Sequence, residues 1–179
     1  MYSNTSINLK YYLMKKLLQT IIFFLINFYA TNLYAQNIMI NVNTKNAGIV
    51  KKGELIFFEV TINNTSPIKS LPIYKIRPQI TFPDALVSIP DSGHVLPKGW
   101  AITLNKNGVV MLSNGTDIIA ENGSRTILIA LKGFAVGGPS TIIGNLFFSN
   151  GISPGTQNGP QTKEDNIADN FSSSSIRVF

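Results

Sequence analysis

The chain reads as an all-β protein behind an apolar leader, and three observations predict this. Apolar and polar residues alternate with a period of two in segment after segment. Clusters of Gly, Pro, Asn and Ser interrupt these segments about every 8–12 residues. Past the leader, no long stretch shows a 3.6-residue period with caps. Eight or nine short strands at such spacing, about that many by count of segments, suggest a sandwich or a barrel.

The elements follow in order. Ile38–Val42 is a first strand, closed by a turn through Asn46, Gly48 and Lys51-Lys52-Gly53. Glu54–Asn63 is a long strand with Ile56, Phe58, Val60 and Ile62 on one face and Glu59 and Thr61 on the other. Asn63-Asn64-Thr65-Ser66-Pro67 ends it, because these residues favour turns. Tyr74, Ile76, Pro78, Ile80 and Phe82 then alternate with Lys75, Arg77, Gln79 and Thr81. Pro78 has no N–H to give to a ladder, so the strand is expected to be bulged or at an edge there. Ala85–Ile89 is a short strand closed by Pro90-Asp91-Ser92-Gly93. Trp100–Asn105 and Val109–Ser113 flank Asn107-Gly108, a hairpin signal since both turn residues tolerate positive φ. Ser124–Leu131 is the next strand. Gly137-Gly138-Pro139 is read as a break, and Thr141–Ser149 follows with Ile142, Leu146 and Phe148 on one side. Asn150–Ala168 lacks a strand pattern, and Ser172–Val178 is the last strand.

The first 35 residues or so read as a cleavable signal peptide, with the folded domain over 36–179. Lys15-Lys16 precedes the mostly apolar run Leu17–Ala30, and Ala35/Gln36 is the expected cut. Met14, just before the two lysines, is the expected start of this leader. Gln19 and Asn27 interrupt the run, which falls short of the ~20 apolar residues that span a bilayer. No membrane span is expected after cleavage, and the protein is expected to be exported: secreted, at the cell surface or in the periplasm. The formal charge of +6 shrinks accordingly. Setting aside Lys10, Lys15 and Lys16 leaves 12 basic residues against 9 acids, a net of +3. The remaining cations are scattered, so no nucleic-acid footprint is expected. The absence of cysteine excludes disulfides, thiolate metal sites and a cysteine nucleophile.

Four motifs in order carry a resemblance. Lys52-Gly53-Glu54 leading into FFEVTINNTS resembles a "G-x-x-(aromatic)-x-V-x-V-x-N-T-G" opening. Leu96-Pro97-Lys98-Gly99-Trp100 resembles "LP-x-G-(W/L)", and Ile119–Ser124 before TILIAL resembles "IAPG-x-S/T". Asn166–Asn170, followed by Ser174, Ile176 and Val178, is similar to a closing "D-x-x-x-DN-x-S…V-x-V". Together, over residues 48–179, they resemble the conserved-repeat, immunoglobulin-like (CARDB-type) domains of bacterial secreted and surface proteins. Ser66-Pro67 departs from the usual Gly, and Ile73–Phe82 lacks the usual Asp. The resemblance implies an immunoglobulin-like β-sandwich of about 7–9 strands, used as a structural or adhesive module outside the cell, with no enzymatic activity.

The residues that could carry chemistry are few. His94, the one histidine, lies near Asp91 and Ser92, but neighbours in one loop rarely meet the geometry of a triad, and an exposed loop residue is expected. A small secreted hydrolase would need it. Glu164, Asp165, Asn166, Asp169 and Asn170 are rich in oxygen ligands, and Asp165, Asp169 and Asn170 are the calcium candidates, against a solvated turn. No catalytic residue and no cofactor is expected. Trp100 is expected in the core, and Lys75/Arg77 on a solvated strand face, with binding of an anionic polymer as the alternative. The sequons at Asn63, Asn114 and Asn122 are expected to be turns. The expected partner is an extracellular protein or glycan, and a carbohydrate- or protein-binding site would lie in Asn150–Ala168.

Overall fold

The structure, a computed structural model, describes residues 14–23, 37–148 and 167–179. The chain divides into two units, residues 1–35 and 36–179. In the first, residues 14–23 are helical. No helix among the described residues is long and apolar enough to cross a membrane. Ala35 and Gln36 lie outside the described residues.

The second unit is all-β. Its described residues form β1 (Ile38–Thr44), β2 (Ile49–Val50), β3 (Leu55–Asn64), β4 (Ile76–Thr81), β5 (Val87–Ser88), β6 (Ala101–Lys106), β7 (Val109–Ser113), β8 (Ser124–Gly133), β9 (Gly137–Phe148) and β10 (Phe171–Val178). The expected strand number of seven to nine is thus corrected to ten. The excess comes from β2, which falls within the segment whose residues favour a turn, and two residues are too few to show any period. Gly137-Gly138-Pro139 is corrected too. It opens β9 rather than breaking the chain, because Gly137 pairs with Val178 beyond a bulge in the β9–β10 ladder.

Two sheets result, β1-β3-β8-β5 and β2-β10-β9-β4-β7-β6. Alternation places Ile56, Phe58, Val60 and Ile62 of β3 inward, opposite Leu131, Ile129 and Ile127 of β8. Ile76, Ile80 and Phe82 and the β9 residues Ile142 and Leu146 face them from the other sheet, and one apolar core joins both. Phe58 meets Phe82 edge-on, with centroids 5.2 Å apart, worth about 1 kcal/mol beyond area burial. Pro78 is buried in β4 and opposes Leu146 of β9, while pairing with β7 begins only at Gln79. The strand is internal, yet at the proline it has a neighbour on one side only. The β6–β7 hairpin turns through Asn107 and Gly108 at φ 52° and 70°, as the Asn-Gly step predicts.

β1 forms one edge of the four-stranded sheet, and side chains of β10 seal it. Val42 N–H donates to Ser172 Oγ at 3.1 Å, and Thr44 N–H to Ser174 Oγ at 3.3 Å. Thr44 Oγ1 donates to the Ser175 carbonyl. Hydroxyls thus stand in for a backbone partner on an otherwise open edge.

Candidate binding surface

The sole histidine has a structural post. β8 pairs with β3 along most of its length, but its other flank meets only Val87 and Ser88 and a single bridge from Val95 to Leu128. Ala130 lies in the gap. Its N–H donates to His94 Nδ1 at 3.1 Å, which leaves Nε2–H to donate to the Pro90 carbonyl at 2.8 Å. The ring fills the place of a missing strand residue and its tautomer is set by its partners. The expectation of an exposed loop histidine is therefore corrected: His94 is partly buried. Both nitrogens serve the main chain, while Asp91 and Ser92 are exposed. A general base needs a nitrogen within reach of its nucleophile, and this ring has none to spare.

Two buried asparagines rivet the loops at the opposite end. Asn64 Nδ2 donates to the carbonyls of Lys69, Ile119 and Ala120, and its Oδ1 accepts from Ser66 N–H. Asn114 Nδ2 donates to Pro72 and Asp117 carbonyls, and its Oδ1 accepts from Ile76 N–H. Asn114 is fully buried, so its sequon is a structural clamp. Beside it, Trp100 is in the core as expected, with Nε1–H donating to Asp117 Oδ2 at 2.7 Å. Arg125 binds both oxygens of the same carboxylate, from Nε at 2.7 Å and Nη2 at 2.9 Å. Partial burial pushes the Asp117 carboxyl up, but hydrogen bonds from Arg125 and Trp100 and the guanidinium charge outweigh it and hold it below the ordinary carboxylate range.

Of the calcium candidates, Asp169 and Asn170 are neighbours in the 3-10 turn Ile167–Asn170 that leads into β10, both partly buried, and Asp165 lies outside the described residues. Among the described residues no three His, Cys, Asp or Glu side chains gather as a metal site would require. The segment Asn150–Ala168 falls almost wholly outside the described residues.

The surface feature that stands out is apolar. Leu55 and Phe57 of β3 point away from the core, on the same face as Glu59. Leu55 is 64% exposed. Phe57 opposes Ala130, Leu128 lies diagonally beside Phe57, and exposed Val95 bridges to Leu128 from the far side. Exposed Phe134 follows β8 at the same corner as Leu55. Lys132, Ser88 and the Glu59–Lys45 ion pair (2.6 Å) border the patch. An apolar centre within a polar border is the composition of a protein-docking surface. The sequence held a signal for it: Leu55 and Phe57 have the parity of Glu59 and Thr61, so the alternation already turns two large apolar residues outward.

No protein-family model matches the chain. No curated protein matches it. Solved structures do. The chain is similar to the CARDB domain of a Pyrococcus furiosus protein, solved in complex with di-metal ions, with TM-score 0.47 and 10% identity over 81% of this chain and 90% of that one. It is similar to a cohesin module from a Clostridium perfringens family 33 glycoside hydrolase, with TM-score 0.45 and 12% identity over 78% and 96%. It is also similar to an uncharacterized Nocardia farcinica protein with an immunoglobulin-like fold, with TM-score 0.43 and 11% identity over 76% and 98%. The domain type that the sequence motifs resemble is thus among the structural neighbours.

Proposed function

We propose that this chain is an exported, non-enzymatic immunoglobulin-like module with a structural or adhesive role at the cell surface or outside the cell. It holds its protein partner through the outer face of the four-stranded sheet. The observation that carries the reading is the cluster of Leu55, Phe57, Leu128, Val95 and Phe134 on a face that elsewhere turns Asn41, Asn43, Glu59, Thr61, Asn63, Ser124 and Thr126 outward. Burying such a cluster is worth about 25 cal/mol per Å² of apolar surface removed from water, less the cost of association. A framework role suits the rest of the molecule, whose sole histidine and buried amides all serve the backbone.

The test is made in producing cells. Fractionation and N-terminal sequencing of the native protein are expected to find it outside the cytoplasm, beginning at Gln36. Chains carrying Leu55→Asp and Phe57→Asp are expected to be exported equally well but released from the cell surface into the medium. A cytoplasmic chain with its leader intact would sink the export reading. Full surface retention of the double variant would sink the docking face.

A further inference from the structure

The six-stranded sheet has a different outer face. None of its six strands carries an Asp or Glu, whereas Arg77, Lys106 and Arg177 lie on them. Direct pairings set Phe171, Asn145, Gln79, Met111 and Leu104 in one row across five strands. At about 4.8 Å per strand the row is about 19 Å long. One step along β9 lies Phe147, directly opposite Arg77. Both phenylalanines are well exposed, Phe147 at 48% and Phe171 at 54%. Lys75 precedes Arg77 by two residues. Burial, and then the like charge of Lys69, lowers the Lys75 pKa.

We propose that this face binds an acidic polysaccharide, with sugar rings lying on Phe147 and Phe171, hydroxyls meeting the amides of Asn145 and Gln79, and a carboxylate at Arg77 and Lys75. Each part follows from chemistry on the face. Exposed aromatic rings offer flat apolar platforms to the C–H faces of sugars. Amides supply both donors and acceptors to hydroxyls. A guanidinium matches the planar fork of a carboxylate. Nucleic acid fits less well. Its charges are closely spaced, and a protein that tracks it sets cations along the whole path. Here Arg77 stands beside the row on its middle strand β4, and Lys106 and Arg177 lie apart from it on β6 and β10, so no continuous line of cations follows the path. The site shares no residue with the apolar face of the other sheet, so either can fail alone.

The test is calorimetric titration of the full chain with polygalacturonate, with dextran as a neutral polymer, and with a single-stranded oligothymidylate. Saturable binding is expected for polygalacturonate, weakening as salt rises, and none for dextran. Arg77→Gln, and separately the double variant Phe147→Ser/Phe171→Ser, are each expected to raise Kd about tenfold. Lys51→Gln/Lys52→Gln, at the other end of β10, removes two charges and is expected to leave Kd unchanged. No binding of polygalacturonate, variants that bind like the parent, or oligothymidylate binding as tightly would each overturn the proposal.

Discussion

At the residue scale, three polar side chains of this domain, His94, Asn64 and Asn114, act as substitutes for backbone. His94 closes a gap in the edge of β8, and Asn64 and Asn114 hold loops that no strand reaches. Such groups cost more to lose than a typical hydrogen bond contributes, because their partners stay buried and unsatisfied. His94→Ala is therefore expected to lower stability by about 1–3 kcal/mol, read as a shift in urea midpoint at unchanged slope. Asp91→Ala, a few residues away on exposed surface, is expected to stay within about 0.5 kcal/mol. Equal effects from the two would show that the ring is not what closes the edge.

At the element scale, β10 does two jobs with one alternation. Ser172 and Ser174 face the seam with β1, while Ser173 and Ser175 face outward. Replacing Ser172 and Ser174 together by Ala is expected to cost about 1–2 kcal/mol and to speed amide exchange at Val42 and Thr44. Ser173→Ala is expected to change neither. Unchanged exchange in the double variant would remove the hydroxyl seal. The element scale is also where reading from sequence succeeds and fails. Long alternating strands such as β3 and β4 declare their inner face, since burial on one side leaves a period of two. The strand β2 has no period, and the role of His94 depends on Ala130, far along the chain. The asparagine rivets were likewise illegible, because their partners are carbonyls, which every residue has. The aromatic row across β10, β9 and β4 needs the strand order, which alternation does not supply.

At the scale of the whole molecule, Asp117 ties the sheets together. Trp100 leads into β6 of one sheet, Arg125 belongs to β8 of the other, and both bind its carboxylate. A carboxyl whose pKa is depressed on folding adds stability above its unfolded value, near 3.9, and loses it as pH falls through the lower folded value. The domain is expected to destabilise in acid below about pH 4, and Asp117→Asn to flatten that decline while costing stability at neutral pH. Thermal melts from about pH 2 to about pH 7 check this; an unaltered acid limb in the variant would refute it. The seam between the first strand and the last has a consequence in time. Its partners lie 130 residues apart in sequence. Native contacts of such separation form late, since a long loop must close before they are gained. While the chain emerges from the ribosome, β1 has no such cover for its edge until β10 has been made. The seam is thus a late lock: the β1 edge, exposed until then, is closed by hydroxyls that belong to the far end of the fold.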